Sequence, residues 1–183
     1  AGLVRLMTTG RITQSKGIDV MVDAFLTLKT KGVAASFIVY GAPTSPRDVE
    51  YQARLSARLR EAGEQPEKIF VGAVSHEELP ALRARADYLL HASETGSLDK
   101  NVLDAAMSGV IPISSSEAYS ELFAGYEMFL QYPKKDSATL AERIVALEAL
   151  PDERRGTIRN TLRARVENQH SLKNLIPRIL ASL

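Results

Sequence analysis

The chain has 183 residues, of which 45% are hydrophobic, and its 23 basic and 22 acidic residues give a net charge of +1. This size and composition are typical of one globular domain with a proper core, and the near-even charge does not indicate a polyanionic partner such as DNA. There is no cysteine, which excludes a disulfide framework and a thiolate zinc site and suits a reducing compartment. No apolar run approaches the roughly 20 residues that cross a membrane, and no signal peptide is visible.

The chain begins inside an apolar run that is typical of a buried strand. Ala1 leads directly into Leu3–Met7, without an initiator Met or a leading segment. We therefore expect residues 1–183 to form one domain of a longer protein, so that half of any active site lies outside this sequence. The alternative is a chain trimmed to a complete domain.

Predicted strands and helices alternate along the chain, which favours an α/β fold. Apolar residues spaced by three or four indicate helices, and glycine or proline marks where many elements end. The predicted strands are Leu3–Met7, Ala35–Tyr40, Lys68–Val71, Ala86–His91, Val110–Ile113 and Met128–Gln131. The predicted helices begin at or shortly after Ile18, Pro46, Ser75, Gly96, Glu117, Asp136, Pro151 and Ser171. This alternation predicts a doubly wound, six-stranded parallel, Rossmann-like sheet with helices on both faces.

The stretch Ser93–Gly109 follows the fourth predicted strand and turns into a helix just after Gly96. A helix start offers unpaired backbone N–H groups and the positive end of a dipole, so it suits an anion. Lys100 adds a positive charge, and Asp104 lies four residues later on the same face. These two side chains either serve a ligand with phosphates and hydroxyls or pair with each other on a solvated surface. From these residues alone the surface pair is the favoured interpretation.

Two loops are expected to meet where the winding of the sheet reverses, between the first and fourth strands. The loop over residues 8–17 contains Arg11 and Lys16, and the loop over residues 91–100 leads into the helix start. A guanidinium offers a planar fork for phosphate, and an ammonium offers a compact point charge. Their joint placement at this point favours a diphosphate site over ordinary surface charges.

Several nucleotide and catalytic motifs are absent. The sequence has neither G-x-G-x-x-G after the first strand nor a G-x-x-x-x-G-K-[ST] loop, and it has no G-x-S-x-G elbow. No D-x-D pair offers carboxylates to a metal-bound diphosphate, so we expect no metal and no cofactor, with positive side chains in place of a metal's charge. His91 could contact a substrate, but a structural role is favoured for it and more so for His76 and His170.

Four motifs together resemble one known family. They are G-R-x4-K-G at Gly10–Gly17, F-x-G-x-V at Phe70–Val74 followed by Glu77-Glu-Leu, the strand Ala86–Ser93, and a helix of L-E-A-M-A-x-G type at Leu103–Gly109. In this order they are similar to the C-terminal, nucleotide-sugar-binding domain of retaining glycosyltransferases with the GT-B fold, of the family 4 type. The resemblance covers nearly the whole chain.

The resemblance implies a role for each matching residue. Arg11 and Lys16 would hold the donor diphosphate and assist catalysis, Asp104 would bind the ribose diol, and the loop after the third strand would line the base pocket. Backbone amides at the helix start would meet the diphosphate and the sugar. The implied substrate-binding residues are Gly10, Phe70, Val71, Gly72, Val74, Glu94, Gly96, Ser97, Leu98, Asp99, Lys100 and Asp104.

The sequence departs from the family pattern at two carboxylates. The first Glu of the family's E-x7-E motif, which contacts the transferred sugar, is Gly96 here, and the second is Asp104. Glu94 or Asp99 is the candidate replacement for the sugar contact. The departure leaves open whether activity is retained, altered or lost.

The implied function is transfer of a hexose from a nucleoside-diphosphate sugar to an acceptor hydroxyl with retention, in polysaccharide or glycolipid biosynthesis. An N-terminal domain outside this sequence would hold the acceptor, so the chain alone is expected to bind nucleotide weakly and to transfer no sugar. A degenerate or non-catalytic binding module, and another GT-B enzyme such as a sugar-nucleotide epimerase, are the alternatives. The expected location is cytoplasmic or peripheral to the inner face of the membrane. The donor base and sugar, the acceptor, the linkage and the oligomeric state stay open.

Overall fold

A five-stranded parallel sheet forms the centre of the computed structural model, which describes residues 2–94, 96 and 98–170. The strand order is β3-β2-β1-β4-β5, and all neighbouring strands pair in parallel. The strands are β1 Val4–Thr9, β2 Ala35–Tyr40, β3 Phe70–Gly72, β4 Tyr88–His91 and β5 Ile111–Ser114. The predicted doubly wound α/β sheet is confirmed, and its winding reverses between β1 and β4.

Helices connect and cover the strands. They are α1 Ile18–Thr30, α2 Pro46–Glu61, α3 Pro66–Ile69, α4 Leu79–Arg83, α5 Lys100–Met107, α6 Ser120–Phe123, α7 Glu127–Leu130, α8 Ser137–Glu148 and α9 Asp152–His170. Short 3-10 turns lie at Gln14–Lys16 and Glu117–Tyr119. Helix α1 packs against α2 and α8, and α5 packs against α9. The helix predicted after Ser171 lies outside the described residues.

The core lies on both sides of the central strands. Leu6, Leu89 and Ile111 are each 2% exposed or less, and strands covered on both faces are typically continuous apolar runs. Helix α1 buries Phe25 and Leu28 on the face towards the sheet. No helix in the described part of the chain is both long enough and apolar enough to cross a membrane.

The predicted sixth strand at Met128–Gln131 is wrong. This run forms the helical turn α7, in which the Leu130 and Gln131 amides donate to the carbonyls of Tyr126 and Glu127 at 3.0 and 2.9 Å. Only Gln131 reaches the sheet, through an isolated bridge to Ser114. Leu130 is buried while Met128 is 65% exposed. An apolar run of four residues is too short for its period to separate a helical turn from a strand.

The third strand was predicted two residues too early. Lys68 and Ile69 belong to α3, which Pro66 begins at a position that proline favours, and β3 covers only Phe70–Gly72. The shift moves the end of the strand to Gly72, so that the loop that follows begins at Ala73. This loop is the one that the resemblance assigns to the base pocket.

Candidate functional site

The loops after β1 and β4 lie side by side at the carboxyl edge of the sheet. The backbone amide of Glu94 donates to the Ser15 carbonyl at 3.0 Å, and the Asn101 side-chain amide donates to the Thr9 carbonyl at 3.3 Å. The prediction that these two loops meet at the point where the winding reverses is therefore confirmed.

Two glycines allow the backbones at this edge to approach closely. Gly17 has φ +61°, and a Cβ placed on it would lie 2.5 Å from the Ala92 carbonyl oxygen. A Cβ on Gly41 would lie 1.8 Å from the carbonyl oxygen of Gly10. Any other residue at either position would push the neighbouring segments apart.

Arg11 lies on a cleft of about 290 Å³ between the exits of β1, β2 and β3. The residues on either side of it are fixed, because the Gly10 amide donates to the Tyr40 carbonyl and the Ile12 amide to the Ala42 carbonyl, both at 3.0 Å. Arg11 itself is exposed and makes no hydrogen bond or ion pair with a described residue. The cleft thus presents a cation whose charge is not compensated by a neighbouring side chain.

Only part of the predicted base pocket reaches this cleft. Val74 lines it, whereas Phe70 packs against the core, Val71 is 45% exposed and Gly72 pairs with Gly41 in an isolated bridge. Leu79, from the Glu77-Glu-Leu motif, also lines the cleft, together with residues that the motifs did not indicate, which are Tyr40, Thr44, His76 and Asn101.

The start of α5 is occupied by the carboxylate of Asp99. Its Oδ2 lies 2.6 Å from the Lys16 ammonium, and its Oδ1 accepts the Asn101 backbone amide at 3.0 Å. The Asp99 amide donates to the Tyr119 hydroxyl at 2.5 Å. Two of the amides that an anion would use therefore already have partners, which sequence reasoning did not foresee.

The pKa of Asp99 reflects this set of donors. Burial by itself would raise the pKa, but the bonds from Lys16 and from the Asn101 amide hold it below its usual value of 3.8. Asp99 is consequently an anion at neutral pH, and it offsets the charge of Lys16. We call Lys16, His91, Asp99, Asn101 and Tyr119 the Asp99 cluster.

His91 is a buried member of the Asp99 cluster. It is 5% exposed, and its Nδ1 lies 2.8 Å from the Ser114 hydroxyl, which also accepts the Ser116 amide at 3.0 Å. Ser114 keeps its own proton to donate to Nδ1, and on that basis we assign the ring proton to Nε2. This Nε2 is buried, has no hydrogen-bond partner among the described residues, and lies 3.8 Å from Asp99 Oδ2.

The His91 ring is neutral at physiological pH. Burial, together with a smaller effect of the Lys16 charge, lowers its pKa to about 4 against the opposite effect of Asp99. The Tyr119 ring packs edge-on against it at a centroid distance of 5.5 Å. His91 is held inside the protein, which agrees with the structural role that the sequence favoured.

Asp104 and Lys100 do not pair with each other. Asp104 Oδ2 accepts a bond of 3.1 Å from Arg83, whose side chain is almost fully buried, while Lys100 is exposed and forms no ion pair with a described residue. The surface pair that the spacing favoured is therefore wrong. Sequence reasoning missed Arg83, although a charged residue among the apolar residues of α4 was a signal.

Three of the remaining predicted residues, Glu94, Gly96 and Leu98, come shortly before Asp99 in the chain, and we call them the rim of the Asp99 cluster. Glu94 pairs with Lys135 at 3.1 Å, and Leu98 is 54% exposed. A Cβ on Gly96 would meet nothing within 4 Å. Ser97 lies outside the described residues. In the described part of the chain no three His, Asp or Glu side chains are grouped so that they could hold a metal.

The family model described as "Glycosyl transferases group 1" matches residues 4–164. The chain belongs to this family of glycosyltransferases. WcaL of Escherichia coli K12, named for a glycosyltransferase of colanic acid biosynthesis, is 26% identical over 194 aligned positions. That match covers 98% of this chain but 44% of WcaL, so the chain spans less than half the length of this relative.

Solved structures share the fold. The C-terminal domain of the group 1 glycosyl transferase LpcC from Francisella tularensis superposes with a TM-score of 0.81 at 23% identity, over 92% of this chain and 87% of that domain. HepE from Anabaena, solved with UDP and glucose, gives a TM-score of 0.78 at 18% identity, over 98% of this chain and 48% of HepE. These likenesses establish the parallel sheet with flanking helices as that of GT-B C-terminal domains.

Proposed function

We propose that this chain is the donor-binding domain of a glycosyltransferase that moves a sugar from a nucleoside diphosphate to an acceptor hydroxyl with retention. The observation that carries this proposal is the Arg11 guanidinium on the cleft, which has no partner among the described residues and lies on the same loop as Lys16. Two cations on this one loop at the carboxyl edge, where the winding reverses, suit a diphosphate.

The proposed chemistry is electrostatic. As the sugar leaves, negative charge builds up on the diphosphate, and fixed positive groups stabilise that charge without reorganising. Arg11 would supply a two-pronged contact and Lys16 a point charge. The positive end of the α5 dipole lies next to Lys16, because Asp99 caps this helix and binds the ammonium.

The cleft offers room and chemistry for the nucleoside. The side chains of Tyr40 and Val74 form part of its wall, and a base could stack or pack against them. Asp104 is held through Oδ2 by Arg83, and its Oδ1 would accept from the ribose hydroxyls. The HepE structures contain UDP, glucose and UDP-glucose, which supports a nucleoside-diphosphate sugar as the donor class and leaves the base open.

The acceptor would be held by a second domain that is outside this sequence. We therefore expect the chain to bind nucleotide and to transfer no sugar alone. Measurable transfer by the isolated chain would contradict this division of roles.

The test is a titration of the chain with UDP, GDP and ADP and with the corresponding nucleotide sugars, in which binding is monitored by NMR and calorimetry. Arg11→Gln should weaken binding of the preferred nucleotide by about tenfold or more, because a charge-assisted contact to phosphate is lost. Arg60→Gln makes the same change at another exposed arginine, on α2, and should leave affinity unchanged. Equal affinities of the two variants would refute the proposed site.

A degenerate binding module is the second candidate, and Gly96 is the observation that favours it. The side chain that the family uses for the sugar contact is absent, and open space surrounds the position. Under this alternative the chain binds a nucleotide as tightly as the corresponding nucleotide sugar. The full-length protein would then show no transfer with any donor that binds.

A further inference from the structure

We propose that the Asp99 carboxylate is a built-in anion that occupies the phosphate seat between Lys16 and the first turn of α5, and that it competes with a ligand's phosphate for that seat. This inference rests on the proposed function for the identity of the ligand, a nucleoside diphosphate. Under this inference Asp99 sets the affinity for phosphate. It differs from the sugar contact for which the sequence made Asp99 a candidate.

The contacts of Asp99 are those of a bound phosphate. One oxygen accepts an ammonium at 2.6 Å and the other accepts a backbone amide of the first helical turn at 3.0 Å. Phosphate groups bind at helix starts through the same two kinds of donor. The Asp99 side chain is 16% exposed and that of Lys16 is 27% exposed, so this seat is largely shielded from water.

An independent observation concerns His91. Its side chain is 94% buried, and its Nε2 lies 3.8 Å from Asp99 Oδ2 without a hydrogen-bond partner among the described residues. A buried donor without a partner is costly, and the distance is too long for a hydrogen bond. With the proton assigned to Nε2, this N–H lies 3.8 Å from the carboxylate oxygen in the seat, and the larger phosphate group would give it an acceptor within reach.

The competition has a simple electrostatic origin. A phosphate that contacts Lys16 while Asp99 stays in place would lie beside a second anion, and like charges repel strongly where water is excluded. The phosphate must therefore displace the carboxylate or bind next to it at a cost. In either case the charge of Asp99 lowers affinity.

The experiment measures pyrophosphate and UDP binding to the chain by calorimetry at one fixed ionic strength. Asp99→Asn removes the charge and keeps a side chain that caps helices equally well. We expect D99N to bind pyrophosphate about tenfold more tightly than the original chain, because the repulsion is gone. Adding Lys16→Met to D99N should abolish the gain.

A matched control excludes a general charge effect. Asp87 directly precedes β4, at the opposite edge of the sheet, and pairs with Arg5 at 2.9 Å, and D87N changes the net charge by the same amount there. It should leave pyrophosphate affinity unchanged. A gain in D87N equal to that in D99N would overturn the inference.

A second variant and a second readout guard against misfolding of D99N. Asp99→Ser also gives a neutral cap and should show the same gain. In the original chain, pyrophosphate should shift the NMR signals of the Asn101 amide and the Lys16 ammonium. Saturation without these shifts, or no gain in D99N and D99S, would overturn the inference.

The outcomes separate this inference from the proposed function. If the original chain binds no nucleotide while D99N binds pyrophosphate through Lys16, the inference stands and the proposed function fails. If nucleotide binding depends on Arg11 while D99N gains nothing, the proposed function stands and the inference fails.

Discussion

The loop after β1, at the carboxyl edge of the sheet, presents its two cations in opposite ways. Arg11 is exposed on a cleft and has no partner among the described residues, whereas Lys16, five residues later, is paired with Asp99 and shielded. The difference shows that one sequence motif can supply one cation ready for a ligand and one already neutralised by the protein. The backbone holds both in position, but the neighbouring side chains decide how much of each charge a ligand would meet.

The largest expected effect comes from disrupting the close backbone contact between Gly41 and Gly10, next to Arg11. Gly41→Ala would place a methyl group 1.8 Å from the Gly10 carbonyl oxygen, so the exits of β1 and β2 must separate. We expect a loss of about 3 kcal/mol or more in the free energy of unfolding, since severe overpacking reaches this range. Urea denaturation measures the loss.

The control for this change lies in α9. Gly156 is inside that helix, and its Cβ would meet nothing within 4 Å. Gly156→Ala should stabilise the chain by about 0.5–1 kcal/mol, because Ala favours helix more than Gly. A G41A chain as stable as the original would show that the two strand exits can separate freely.

The second-largest effect is a pH dependence of stability, which comes from the buried His91 beside Lys16 and Asp99. The folded pKa of His91 is about 4, below the ordinary value of 6.5, so the unfolded chain takes up the proton first as the pH falls. The contribution of His91 to the free energy of unfolding is therefore full above pH 6.5. It is lost as the pH falls from 6.5 to 4, by up to about 3 kcal/mol. Urea denaturation across this range should reveal the slope.

His91→Gln should flatten that slope, because glutamine does not titrate in this range. The pKa of Asp99 in the folded chain is below its usual value of 3.8. Protonation of Asp99 therefore adds a separate loss of stability only below about pH 3.8. Direct NMR titration of the His91 ring provides a second check. A ring that titrates near 6.5 in the folded chain would contradict the neutral, buried role.

The smallest effect concerns the rim of the Asp99 cluster. The Lys135–Glu94 pair spans 3.1 Å, but its side chains are 72% and 44% exposed. Lys135→Ala should change the free energy of unfolding by less than about 0.5 kcal/mol, as is usual for solvent-exposed pairs. A larger loss would mean that the rim stabilises the loop that carries Asp99.

Sequence patterns predicted the sheet because its features are local. Apolar runs and the spacing of helical residues located β1, β2, β4 and β5, and right-handed crossovers imply that their carboxyl ends share one edge. Ser75 and Glu78, which have the spacing of a capping box, also exchange bonds at 2.9 and 3.4 Å, but they do so in the turn before α4, which begins at Leu79. The short run Met128–Gln131 failed because four apolar residues fit both a strand and a helical turn.

The partners of the charged side chains could not be predicted in the same way. Lys100 and Asp104 have the spacing of a helical ion pair, yet Asp104 binds Arg83, which lies 21 residues earlier. Asp99 was expected to offer its amide, but Tyr119 accepts that amide from 20 residues further along. Spacing along a helix indicates which side chains of that helix are able to pair. It does not indicate whether a side chain from a distant part of the chain lies closer.

The sequence was sufficient to predict the parallel sheet, the order of its central strands and the meeting of the two loops, because periodicity acts locally and the handedness of crossovers is a general rule. The three-dimensional packing was needed to show that Asp99 fills the seat at the start of α5 and that Arg11 has no partner among the described residues. The filling of that seat depends on three separate segments converging on Asp99, with Lys16 and His91 next to its carboxylate and Tyr119 at its backbone amide. Their distances and burial follow from packing, which no local pattern specifies.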